Sequence, residues 1–174
     1  MSDDPFWGNL FRRRFNREHE LYEILKAVPI FQDLNRRDFK RIHGILHFRD
    51  FSEGEAVVRE GDAGVGMYII MSGGVEIVQS GEDGATNRLA TFGPGDFFGD
   101  QVLVDESPRT ASAIATEATK AVGFFRPDLL ELIESNPRLG LKIVMRLSQT
   151  ISIRLRQTNR LLKESRDRVK EIEN

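Results

Sequence analysis

A chain of 174 residues, 40% of them hydrophobic, is large enough for one domain with a substantial core. Its 25 basic and 27 acidic side chains nearly cancel, to a formal net charge of -2, which excludes a general attraction to nucleic acid or anionic membrane. The absence of cysteine excludes disulfides, thiolate zinc sites and cysteine nucleophiles.

The first segment, residues 1–17, sets Phe6, Trp7, Leu10, Phe11 and Phe15 at helical spacing beside Arg12, Arg13, Arg14 and Arg17. It is read first as a strip that folds back over the domain or docks on a protein partner. Peripheral membrane contact through residues 6–17 is the second reading, and nucleic-acid binding a distant third. The segment lacks the apolar core of a signal peptide, and no apolar run reaches the roughly 18 residues of a membrane span, so a cytoplasmic location is expected.

Leu21, Ile24, Leu25 and Val28 then form the apolar stripe of a helix over 18–28, which Pro29 ends. A second helix, capped by Asn35 or Asp33, carries Leu34, Phe39, Ile42 and Leu46. From Leu46 to Phe125 the rhythm changes to short β-rich runs between glycine turns. These are His47–Phe51, Ala56–Arg59, Gly66–Met71, Val75–Gln79, Leu89–Phe92, Thr110–Ala115 and Lys120–Phe125. Such spacing predicts a β-sandwich or barrel rather than βαβ units. The Gly66–Met71 run is apolar on both faces, which predicts an interior strand. A short helix over Pro127–Ser135 follows, broken at Asn136-Pro137.

A long helix is predicted from about Arg138. Leu141, Val144, Ser148, Ile151, Leu155, Thr158, Leu162, Ser165, Val169 and Ile172 recur along it in steps of three and four. A seam of this kind is buried by a parallel pair of helices, and its polar positions weaken the pair while fixing its register.

The chemistry concentrates in Phe98–Gly99–Asp100 and Pro108–Arg109–Thr110–Ala111. Glycine lets backbone approach a ligand closely, amides that follow can face an anion, and the planar fork of Arg109 can grip two phosphate oxygens. Asp100 can accept from a sugar hydroxyl. The plainer readings are a salt bridge from Arg109 to Asp100 or Asp105, and Asp100 as a helix cap. His43 and His47 are four apart and suit a structural role on one helix face far better than zinc. No set of nucleophile, base and orienter stands out, so the chain is not read as an enzyme.

These residues resemble the cyclic nucleotide-binding domain family, over about Ile30 to Leu162. Three signatures match in order: Phe51-x-x-Gly54 through Gly61-Asp62, Tyr68-Ile69 and Gly73-Gly74-Val75; Leu89 with Phe92–Asp96; and the stretch around Gly99 and Arg109. The resemblance implies a mainly β fold with flanking helices, a jelly roll (double-stranded β-helix), followed by a dimerisation helix. It implies that Arg109 binds the cyclic phosphate with the backbone of Gly99, Gln101 and Val102. Asp100, one methylene shorter than the family's usual glutamate, would bind the ribose, and Thr110 would contact phosphate or base. Met145-Arg146-Leu147-Ser148 and Arg154-Leu155 resemble the dimer helix of the catabolite-activator class, which puts Thr158 and Asn159 at base-contacting positions.

The expectation is therefore a non-enzymatic sensor of cAMP, or failing that cGMP, with no cofactor beyond this ligand. It is divided into a basic aromatic segment (1–17), a nucleotide-binding domain (18–137) and a dimer helix (138–174). It acts as a parallel homodimer on an unidentified downstream protein, and the sequence to Asn174 leaves no room for a helix-turn-helix DNA-binding domain. The rival is a structural or protein-interaction module with a vestigial pocket.

Overall fold

A computed structural model describes residues 18–81 and 85–172, with side chains described up to residue 168. The predicted amphipathic N-terminal strip of residues 1–17 lies outside the described residues, as do the side chains of Val169 and Ile172. Helix α1 covers residues 18–27, and a single 3-10 turn, Pro29–Phe31, leads to α2, Arg36–His43. Asn35 caps α2: its side chain accepts from the Arg37 and Asp38 amides at 2.9 Å, and Asp38 accepts in return from the Asn35 amide. Leu46 falls outside this helix, in the turn to the first strand.

Among the described residues eight strands follow: β1 His47–Phe51, β2 Ala56–Val58, β3 Gly66–Ser72, β4 Val75–Ser80, β5 Thr86–Phe92, β6 Phe97–Phe98, β7 Ser112–Ala115 and β8 Thr119–Phe125. They form two antiparallel four-stranded sheets, in the orders β1-β8-β3-β6 and β2-β7-β4-β5. The fold is the mainly β jelly roll with flanking helices. β3 is interior, between β8 and β6, as its two apolar faces require. A 3-10 turn, Asp100–Leu103, separates β6 from β7, and helices α3, Arg126–Ser135, and α4, Pro137–Ile172, complete the chain.

Two apolar clusters result. The larger joins the helices to the outer sheet: Leu21, Leu25, Phe31 and Ile42 meet Met67, Ile69, Val122 and Phe124, with Leu129, Leu139, Ile143 and Leu147 from α3 and α4. Leu103, from the short turn before β7, belongs to it as well. The smaller cluster, Val57, Ile70, Val75, Phe98 and Ala113, lies between the sheets. Burying a single Leu or Phe stabilises by about 1.5–3 kcal/mol, so Leu103 contributes to anchoring the turn together with the buried Val102. The first half of α4 thus turns one stripe inward, while Leu141, Leu155 and Leu162 on the predicted seam are exposed. Ion pairs from Lys142 to Asp38 and from Arg146 to Asp33 tie the same half to the N-terminal helices.

His43 ends α2 and His47 opens β1, so the two do not share a helix face. His47 instead meets Asp128 of α3 at 3.0 Å, and no group of three metal-ligating side chains occurs among the described residues.

Candidate functional site

Strand β6 is followed by Gly99, whose φ of +76° turns the chain sharply into the Asp100–Leu103 turn. That left-handed conformation favours glycine, and the space demands it too, because a Cβ there would run into the guanidinium of Arg109. Val102 and Leu103 are buried and fix the turn to the interior. Asp100 opens it with its side chain pointing inward, 1% exposed.

Arg109 approaches from the other side. Its backbone is locked to the Gly61-Asp62 turn by two hydrogen bonds: its N–H donates to Asp62 O at 2.8 Å, and its carbonyl accepts from Gly61 N at 2.9 Å. The side chain runs inward and is 7% exposed, with one guanidinium nitrogen, Nη2, donating to Gly66 O at 2.5 Å. No carboxylate pairs with it among the described residues. Asp100 forms its ion pair with Arg154 of α4, and Asp105 accepts from Ser107. The salt-bridge and capping readings of these residues therefore give way to a different geometry. Burial pushes the Arg109 guanidinium below its ordinary pKa, and the Tyr68 hydroxyl works in the opposite sense. A buried cation without a counter-charge is costly, and a bound anion would remove that cost.

Asp100 presents the complementary need. Its Oδ1 accepts from Arg154, whereas its Oδ2 is buried without a hydrogen-bond partner. A buried acceptor left alone costs about 1–3 kcal/mol, which a donor from a ligand would recover.

Both side chains face a cavity of about 440 Å³. Gly99, Gln101, Val102 and Thr110 also line it, so six of the eight residues singled out in the sequence converge on one space. Thr110 is exposed, and its carbonyl accepts from the Gln79 side chain at 2.9 Å. The inner faces of β2, β4, β5 and β7 supply an apolar wall of Val58, Ile77, Ala90 and Ala113. Thr158 and Asn159 are exposed on α4 and do not line the cavity within this one chain.

Arg154 is the side chain that reading by sequence did not single out. It is the α4 residue that lines the cavity, pairing with Asp100 while its guanidinium lies 4.9 Å from the centre of the Phe97 ring. The signal available for it was position, one helical turn before Thr158. A second cleft, of about 550 Å³, lies between α1 and the β1 and β8 strands. Its cations, Arg49 and Lys120, are exposed, so it lacks the buried, unpaired charge that marks the first.

The comparisons with known proteins agree with this arrangement. The family model of the cyclic nucleotide-binding domain matches residues 48–136. Over 150 residues the chain is 31% identical to the cyclic AMP receptor protein of Thermus thermophilus, covering 83% of this chain and 68% of that protein. Over 137 residues it is 35% identical to a CRP-like cAMP-activated global transcriptional regulator of Mycobacterium tuberculosis, covering 79% of this chain and 59% of that one. The crystal structure of a cyclic nucleotide-binding domain from Methylobacillus flagellatus superposes with a TM-score of 0.73 at 25% identity, over 86% of this chain and 84% of that one. The chain belongs to the cyclic nucleotide-binding domain family.

Proposed function

We propose that this member of the cyclic nucleotide-binding domain family is a non-enzymatic sensor of a cyclic purine nucleotide, cAMP in preference to cGMP. The observation that carries the reading is Arg109: a buried guanidinium, unpaired by any carboxylate, facing a 440 Å³ cavity. In this reading it takes the cyclic phosphate, with backbone amides around Gly99, Gln101 and Val102 completing the cradle. The free Oδ2 of Asp100 accepts the ribose 2′-hydroxyl, and Thr110 meets the phosphate or the base edge. No cofactor is required.

Support for adenine comes from the wall of Val58, Ile77, Ala90 and Ala113, which offers no partner to the additional carbonyl and amino groups of guanine when the base lies against it, the polar lining of Gln101, Asp105 and Ser107 coming from the stretch before Arg109. Leaving such groups buried and unpaired costs about 1–3 kcal/mol each. The two relatives above are themselves named for cAMP. The hydroxyl of Thr110 is a feature that favours guanine.

The signal leaves through α4. Leu141, Leu155 and Leu162 expose an apolar seam on it, which a second copy in parallel would bury. Pairing would also bring Thr158 and Asn159 near the partner's cavity as base contacts. The resulting homodimer then acts on a downstream protein.

Calorimetric titration of nucleotide-stripped protein with cAMP and with cGMP tests the reading. One site per chain, tighter for cAMP, is expected. Uptake of neither nucleotide would leave an interaction module with a vestigial pocket.

A further inference from the structure

The loop that delivers Arg109 is held from a second direction. Glu106 lies in it, between the Asp100–Leu103 turn and Pro108. Its carboxylate forms an ion pair with the side chain of Arg126, the first residue of α3. The Arg126 backbone N–H donates to Val65 O at 2.9 Å, and the next carbonyl along, Gly66 O, is the one that accepts from the Arg109 guanidinium at 2.5 Å. Two arginines thus hold successive carbonyls at the entry to β3, Arg109 from the cavity and Arg126 from the helix.

We propose that Arg126 is a positioning residue for the phosphate-binding loop, acting through Glu106, and that this contact makes the N-terminus of α3 move with that loop. The proposal rests on the nucleotide-binding reading above. Three observations favour a positioning role over an incidental surface pair. The other hydrogen bonds of Asp105 and Ser107 are local, Ser107 donating its N–H and hydroxyl to Asp105 and the Asp105 N–H donating to Gln101 O, so they tie the loop to the turn before it and not to α3 or the sheets. Beyond the Ala63–Pro108 bridge at its end, Glu106 is its side-chain tether to another element among the described residues. Finally, Arg126 buries its Nε without a hydrogen-bond partner, a cost a freely extended arginine would avoid, in order to hold its head group over Glu106.

The geometry makes a prediction that simple electrostatics contradicts. Glu106→Gln removes a negative charge from beside an anion site. If only its field mattered, cAMP would bind more tightly. A positioning role predicts weaker binding.

The experiment is calorimetry with cAMP on the full chain and on Glu106→Gln, Arg126→Gln, the double variant and the charge-exchanged Glu106→Arg/Arg126→Glu. Each single variant should bind about threefold more weakly, in line with one exposed ion pair. The double variant should be no weaker than the poorer single one, and charge exchange should recover part of the loss. Tighter or unchanged binding by Glu106→Gln, or losses that multiply in the double variant, would overturn the proposal. Glu106 is 77% exposed on its side chain, so its variant folds even if Arg126→Gln does not, and it decides the matter alone. A wild type that takes up neither cAMP nor cGMP overturns the underlying reading, and this one with it; a wild type that binds, beside an unaffected Glu106→Gln, overturns this one alone.

Discussion

Replacing Arg109 by leucine separates a ligand-binding arginine from a structural one. On the ligand side, the guanidinium would supply charge-assisted hydrogen bonds to phosphate, each worth about 1.5–3 kcal/mol. Removing one partner of a buried charged pair costs about 3–5 kcal/mol in all. At about 1.4 kcal/mol per factor of ten, cAMP should bind roughly a hundred- to a few-thousand-fold more weakly. Without nucleotide the balance is different. The variant loses the charge-assisted hydrogen bond to Gly66 O, about 1.5–3 kcal/mol, and sheds an unpaired buried charge whose cost is of similar size. Stability of the empty protein should therefore change by about 1 kcal/mol or less. Urea unfolding with and without cAMP reads both quantities. At a hundred times its Kd, the nucleotide should stabilise the wild type by about 2.7 kcal/mol, and the variant by about 0.4 kcal/mol or less at the same concentration. A leucine variant that kept cAMP within tenfold of wild type, or lost about 3 kcal/mol when empty, would refute the reasoning.

Three further outcomes follow from the same geometry. Asp100→Asn should weaken cAMP by about tenfold and leave 2′-deoxy-cAMP almost unaffected, since Oδ2 is the acceptor assigned to that hydroxyl; an unchanged ratio between the two ligands, measured by competition, would remove Asp100 from the ribose. Gly99→Ala should cost about 1–2 kcal/mol of stability through its left-handed backbone and also impair binding, because the new Cβ displaces the Arg109 guanidinium. Thermal melts and titration of that variant should show both losses together, not one alone. Leu155→Lys with Leu162→Lys should turn a dimer into a monomer in sedimentation velocity, given that both leucines are exposed on the seam; a pair that stayed dimeric would move the interface elsewhere.

How much of this was legible in the sequence follows from the physics of each element. The interior strand Gly66–Ser72 was found to within a residue because a doubly apolar run is a direct consequence of burial, whereas His47–Phe51, half-buried only at its two ends, was marked by its β-rich composition and the turn signals after it. The first half of β5, Thr86–Arg88, was missed because it lies on an edge strand and is exposed, so nothing apolar marks it. β6, Phe97–Phe98, is two residues long and has no period to read. On α4 the predicted seam mixed two faces: Leu141, Leu155 and Leu162 are exposed, but Val144 and Ile151 pack against the core beside the unread inward stripe of Leu139, Ile143 and Leu147, since two adjoining apolar stripes blur into one broad face. Arg109, Gly99 and Asp100 could be chosen because their residue types are local in sequence. Arg154 and the wall of Val58, Ile77 and Ala90 enter the cavity only through tertiary folding.

The sharing of one carboxylate between cavity and helix explains how occupancy would reach α4. Asp100 gives one oxygen to Arg154 and keeps the other buried and unpartnered. A ligand hydroxyl donating to Oδ2 would order the carboxylate and with it the Arg154 contact, so ligand and helix position favour one another. Thermodynamic linkage makes that reciprocal: whatever fixes α4, including a second copy on its seam, must raise nucleotide affinity by the same factor that nucleotide raises pairing. The proposed coupling would have a second branch through α3, whose first residue is tied to the Arg109 loop and whose body packs against α4. On the proposed reading, phosphate and ribose would report to the same helix by separate routes. Asp100→Asn should therefore weaken the link between binding and pairing without abolishing it.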